Sequence, residues 1–136
     1  MAREPLQVQV VAADRRVWSG EAVNVIARTT EGDIGILPGH EPLMAVLTPS
    51  VTEIVGADGR TRIMAVDGGF ISVAQGGVSI ISQEVRRAEE ISLDSAERQI
   101  AELEVIRNQG ALTDSQEHRL HILKAQVRAA ERARDS

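Results

Sequence analysis

Hydrophobic residues recur every second position up to about Glu84, and with a helical period after Glu89. That one change confines the chain to a β part followed by an α part. Neither pattern presents a single apolar face in the other conformation. Residues 83–90, Gln-Glu-Val-Arg-Arg-Ala-Glu-Glu, are polar and charged, as a boundary between packed units is. The division expected is residues 1–88 and residues 89–136. A chain of 136 residues accommodates one domain, or one domain with an appendage.

In the first part, Leu6, Val8, Val10 and Ala12 alternate with more polar neighbours, which predicts a strand with one buried face. Asp14 to Arg16 turn the chain, Val17-Trp18 start a short return, and Ser19-Gly20 turn it again. Glu21 to Thr30 reads as a longer strand with Val23, Val25 and Ala27 on one face. Leu43 to Leu47 is an apolar run that Pro49-Ser50 breaks. Val51 to Val55 and Thr61 to Val66 flank Asp58-Gly59, a strong hairpin signal. Asp67-Gly68-Gly69 reads as a further turn. Phe70 to Ala74 and Val78 to Ser82 flank Gln75-Gly76-Gly77, a second hairpin. Short strands at this spacing, with no helix between them, predict an antiparallel sandwich or barrel.

Between two of these strands lies Glu31-Gly-Asp-Ile-Gly-Ile-Leu-Pro-Gly-His-Glu-Pro-Leu43. Pro38 and Pro42 cannot donate to a ladder, so this stretch is a tight connection rather than a central strand. Ile34, Ile36 and Leu37 call for burial, and the turn holds His40 and Glu41 beside Gly39. It is either a structural corner or a contact surface presented by one.

In the second part, Ser92 or Asp94 is placed to cap a helix, with Glu97 three residues after Asp94. Leu93, Ala96, Ile100, Leu103 and Ile106 follow helical spacing, and Gly110 is a natural left-handed terminator. Thr113-Asp-Ser-Gln116 is a capping box opening a second helix. Leu120, Leu123, Val127 and Ala130 make its apolar stripe. The short Gly-containing link predicts an antiparallel two-helix hairpin. Its stripes are narrow and rich in alanine, so it should be held loosely and be able to move. Lys124, Arg128 and Arg132, at i, i+4 and i+8, form a basic stripe on the last helix, with Arg119 preceding them. Such a row repels itself and suits an acidic partner.

The chemistry available is limited. Without cysteine there are no disulfides, thiolate metal sites or cysteine nucleophiles. His118 and His121 are three apart on a predicted helix, but no third metal ligand accompanies them. Glu31/Asp33 and Glu89/Glu90 are paired carboxylates at turns, without the burial that acid–base work requires. The glycine pairs precede strands, so they are not phosphate loops. A net charge of −5 argues against broad nucleic-acid binding. No apolar run approaches a membrane span, and the N-terminal residues lack signal character. The chain is expected to be cytosolic, or peripheral to a membrane through a protein partner. Read this far, the residues leave open a stand-alone β-sandwich that binds a ligand or peptide and carries an oligomerising helical tail.

The thirteen-residue stretch from Glu31 to Leu43 resembles the signature of the epsilon subunit of bacterial F-type ATP synthases. Val66-Asp-Gly-Gly-Phe70, Val17-Trp-Ser-Gly20 and Leu93-Asp-Ser-Ala96 resemble further blocks of that family, in family order. The resemblance implies a flattened sandwich of about ten strands followed by two antiparallel helices. It implies a non-catalytic rotor subunit without cofactor, bound to the gamma subunit and the c-subunit ring at the cytoplasmic face of the bacterial plasma membrane. Such a subunit helps couple proton flow to ATP synthesis and restrains ATP hydrolysis through its last helix. Carried onto this chain, Asp33 faces the c ring with Glu31 beside it, and Gly39, His40 and Glu41 form the docking turn. Arg119, Lys124, Arg128 and Arg132 are the candidates for inhibitory contacts to beta, within the alpha–beta head. Asp94 matches a nucleotide-binding motif of some members. Glu97 stands where that motif has arginine, which opposes a phosphate, so no nucleotide is expected here.

Overall fold

The computed structural model describes residues 4–135. The first three residues, on which part of the N-terminal reading falls, and Ser136 lie outside the described residues. Among the described residues seven strands are present: β1 Leu6–Ala12, β2 Arg16–Thr29, β3 Gly32–Ile36, β4 Leu43–Gly56, β5 Thr61–Ala74, β6 Gly77–Ser82 and β7 Val85–Arg87. A single 3-10 turn, Ala88–Glu90, leads to α1, Leu93–Asn108, and α2, Asp114–Arg134.

The strands run in the order β1-β6-β5-β4-β2-β3, and β1 also pairs with β2. The sheet therefore closes on itself as a flattened barrel, which removes most free edges. All pairings are antiparallel except β1 with β6. The inward residues form one aliphatic core that includes Leu6, Val10, Val25, Ile36, Ile54, Met64, Ile71 and Ile80.

The count of about ten strands implied by the resemblance is corrected to seven among the described residues. Gly32–Ile36, read as part of a connection, and Val85–Arg87, read as part of the boundary, form short strands. Three predicted breaks lie inside long, bent strands. Ser19-Gly20 falls within β2. Pro49 falls within β4, opposite Asp67 of β5, where the β2–β4 register shifts between Ile26 and Thr29. An irregularity is where a ladder tolerates a proline. Gly68 and Gly69, at φ of +65° and +98°, bend β5 without ending it. A further shift between Ala22 and Asn24 puts Ala22 and Val25 inward and leaves Val23 exposed, against the expected alternation. Both predicted hairpins are present. Gln75 and Gly76 have φ of +49° and +78°, as a two-residue primed turn needs.

The helices are capped as their residues dictate. Ser92, not Asp94, caps α1 by accepting from the Ser95 N–H at 3.3 Å. The α1 terminus is a Schellman motif: Gly110 N–H donates to Arg107 O at 2.9 Å and Ala111 N–H to Ile106 O at 3.1 Å. Thr113 and Gln116 satisfy each other's backbone donors at 3.0 and 3.1 Å.

The hairpin lies folded against the barrel. Helix α2 contacts both α1 and strands β4 and β5. Ala125 and Ala129 pack with Ile63, Ala65 and Ala88, so small side chains allow a close approach to the sheet. Leu120, Ile122, Leu123 and Gln126 are buried as well, whereas Val127 and Ala130 are only half-buried. Helix α2 therefore buries a broader face than its predicted stripe. Helix α1 buries only Ala96, so the loose fit expected of the hairpin belongs chiefly to α1.

Candidate functional site

Strand β3 and the following turn place Glu31, Asp33, Gly39, His40 and Glu41 at the surface, all exposed. Ile36 is buried and anchors the segment, but Leu37 is exposed rather than buried as expected. Gly39 takes φ of +85°, which reverses the chain so that the His40 N–H donates to Leu37 O at 3.0 Å. His40 Nδ1 donates to Glu41 O at 2.7 Å, which orients the ring and occupies that nitrogen. Asp33 sits opposite Arg28 in the β2–β3 ladder and accepts from its Nε at 2.9 Å. The Arg28 hydrogen bond and charge hold the Asp33 carboxyl below its ordinary range. The turn is thus a prearranged polar surface, with no base aimed at a nucleophile.

A second surface escaped the sequence reading. Val46 of β4 is the cross-strand neighbour of Phe70 of β5, and Phe70 of Ile81 in β6. Met44 follows on the same face of β4. These four side chains are exposed, Met44 at 73% and Phe70 at 53%, and form an apolar band across three strands. Contiguous exposed apolar side chains of this kind mark interaction surfaces. The signal in the sequence was adjacent apolar pairs, Val46-Leu47, Phe70-Ile71 and Ile80-Ile81. Each pair must point one member outward, because side chains alternate along a strand.

The basic residues of α2 do not form a free row. Lys124 Nζ lies 3.1 Å from Glu104 of α1, and Arg119 lies 3.6 Å from Glu84. Arg132 pairs with Glu53 of β4. Arg128 has no ion pair among the described residues; it lines the grooves between α2 and strands β2–β4, together with Arg28. His118 Nε2 lies 2.8 Å from Asp67 of β5, while His121 is exposed beside Lys124 and Arg128. The two histidines therefore do not converge, and no group of metal-ligating side chains occurs among the described residues. Asp94 is exposed in the first turn of α1 and Glu97 lies one turn on, also exposed. Glu89 and Glu90 are exposed, and Glu90 lies 3.7 Å from Arg15. No helix among the described residues is long and apolar enough to cross a membrane.

Residues 5–88 match the family model of the ATP synthase delta/epsilon chain β-sandwich domain. An ATP synthase epsilon chain of Cutibacterium acnes is 47% identical over 96% of this chain and 94% of its own length. That of Rhodococcus opacus is 39% identical over 94% of this chain and 98% of its own. Among solved structures, a chain of the Euglena gracilis mitochondrial ATP synthase OSCP/F1/c-ring assembly superposes with a TM-score of 0.78 at 21% identity. It covers 98% of this chain and 83% of that one. A chain of the Tetrahymena thermophila central stalk and c ring gives 0.61 at 15% identity and 98% coverage of both. These two likenesses extend to the whole fold, helices included. On the sequence matches, this chain belongs to the family of ATP synthase epsilon chains.

Proposed function

We propose that the chain is a non-catalytic central-stalk subunit of a proton-translocating F-type ATP synthase. Residues 1–88 are the docking domain, and residues 89–136 are the regulatory one. The exposed apolar band of Met44, Val46, Phe70 and Ile81 carries this reading. A lone soluble domain gains nothing from leaving such a surface wet, whereas covering it with a partner stabilises the assembly. The gamma subunit is the occupant, and the polar turn with Glu31, Asp33, Gly39, His40 and Glu41 faces gamma and the loops of the c ring. The subunit sits at the cytoplasmic face of the membrane as a peripheral component.

Regulation belongs to α2. Arg119, Lys124, Arg128 and Arg132 contact acidic segments of the beta subunits, within the alpha–beta head, when the hairpin leaves the barrel, and so restrain hydrolysis. Three of the four are neutralised by carboxylates of this chain in the folded-down arrangement. Closed and extended hairpins therefore compete for the same cations.

The docking claim is tested by Phe70→Asp combined with Val46→Asp, both outward-facing and tolerable to the core. The double variant should fold with an unchanged circular dichroism spectrum and fail to co-purify with gamma. Retained binding to gamma would remove the apolar band from the interface.

A further inference from the structure

Asp67 lies in β5 just before the glycine bend, and its backbone is pinned from one side. Its N–H donates to Glu84 O at 2.9 Å and to Ser82 Oγ at 3.1 Å. Its side chain is only 9% exposed, and Oδ1 has no hydrogen-bonding partner among the described residues, only a charge contact. A carboxylate so placed is costly unless a cation or donor reaches it. The group that reaches it comes from the other unit of the chain: His118 Nε2, in the first turns of α2, at 2.8 Å, with its own ring more than half exposed.

We infer that His118 and Asp67 form a proton-operated clamp, which holds the helical hairpin against the barrel when the imidazole is charged and weakens as it loses its proton. The contact is an ion pair only while His118 is protonated, and histidine is the side chain that ordinarily changes charge near neutral pH. Once neutral, it leaves a carboxylate stripped of water facing a ring without charge. The surroundings do not replace the lost cation. From α2, Arg119 lies beside the pair but is engaged by Glu84 at 3.6 Å. From the segment after β6, Glu84 faces Asp67 with like charge and is shared with Arg86 of β7 at 3.3 Å. The first turn of α2 adds the carboxylates Asp114 and Glu117. Strand β4 places Pro49 opposite Asp67 and offers no titratable group there.

Burial raises the Asp67 pKa, with Glu84 adding to the rise and His118 and Arg119 opposing it. The clamp needs that carboxyl ionised, so the proton that operates it is the one His118 gains. Closing the hairpin is therefore linked to proton uptake. The clamp is a property of the isolated chain and does not depend on the rotor reading.

The chain has no cysteine, so spin labels placed through Gln83→Cys and Ser115→Cys report the distance between the barrel and α2 without background. Electron–electron distance measurements on the full chain from pH 5.5 to 8.5 should resolve short and long populations. The short:long ratio should fall about threefold as pH rises, the size of a weak ion pair lost. His118→Lys stays charged over this range and should hold the short population at both ends. His118→Gln should show the reduced ratio at both ends, and so should Asp67→Asn. A flat profile in the native chain would overturn the clamp. So would an unchanged pH response in His118→Lys, which would assign the dependence to His40 or His121.

Discussion

At Gly69 the backbone has φ of +98°, and an added Cβ would lie 2.0 Å from the carbonyl oxygen of Ile81. At Gly110 the backbone is similarly left-handed, at +71°, but nothing lies within 4 Å of such a Cβ. The two positions separate conformational strain from collision. Gly110→Ala should cost about 1 kcal/mol, the penalty of the left-handed region alone. Gly69→Ala should cost clearly more, about 3 kcal/mol, since the β5–β6 ladder must shift to admit it. Urea unfolding of both variants checks the difference, and equal losses would contradict the geometry. A second residue-scale prediction concerns Asp58. Arg62, and then the Arg60 N–H, lower its pKa to about 2. A carboxyl depressed on folding stabilises the fold above its unfolded range, near 3.9, and loses that contribution as pH falls toward 2. The stability gap between native chain and Asp58→Asn should therefore be constant above about pH 5, shrink as pH falls through the folded pKa of about 2, and be gone only near about pH 1. The Asp-Gly hairpin signal was readable from residue types alone, because the turn is local. The collision at Gly69 was not, because it involves β6, twelve residues away along the chain.

At the scale of elements, what was legible depended on whether the determinant was local. Both helices, the Thr113 capping box and the Gly110 terminator follow from neighbouring residues. The merging of predicted strands into β2, β4 and β5 does not, since it depends on which partner strand lies opposite a Pro or a Gly. Likewise the wide buried face of α2 depends on Ala125 and Ala129 meeting Ile63 and Ala65, which spacing along the helix cannot show. That seam yields a prediction. Ala129 is fully buried, and Ala129→Leu should overfill it, costing about 2 kcal/mol or releasing the hairpin. Limited proteolysis should then cut within residues 109–135 faster than in the native chain, while the barrel stays protected. Equal cleavage would mean that the seam does not hold α2 down.

For the molecule as a whole, the function proposed above divides the labour between the apolar band on the barrel and the charged face of α2: one surface docks on a partner, and the other exchanges partners. The four cations read from the sequence are not equivalent. Arg119, Lys124 and Arg132 have carboxylates in the closed form, while Arg128 has none among the described residues. Arg128→Glu should therefore weaken inhibition of the assembled enzyme without opening the hairpin of the isolated chain. Glu53→Gln should release Arg132 and shift the hairpin outward. The sequence disclosed the residues of this stripe but not their internal partners, because Glu53, Glu84 and Glu104 are distant in the chain or on another helix.

The central claim is that α2 restrains hydrolysis while the barrel alone secures assembly. It is tested most directly by ATP hydrolysis in membranes whose ATP synthase carries this chain cut after Leu112. The account predicts normal assembly and a several-fold rise in hydrolysis rate. Fully assembled enzyme with an unchanged rate would contradict it.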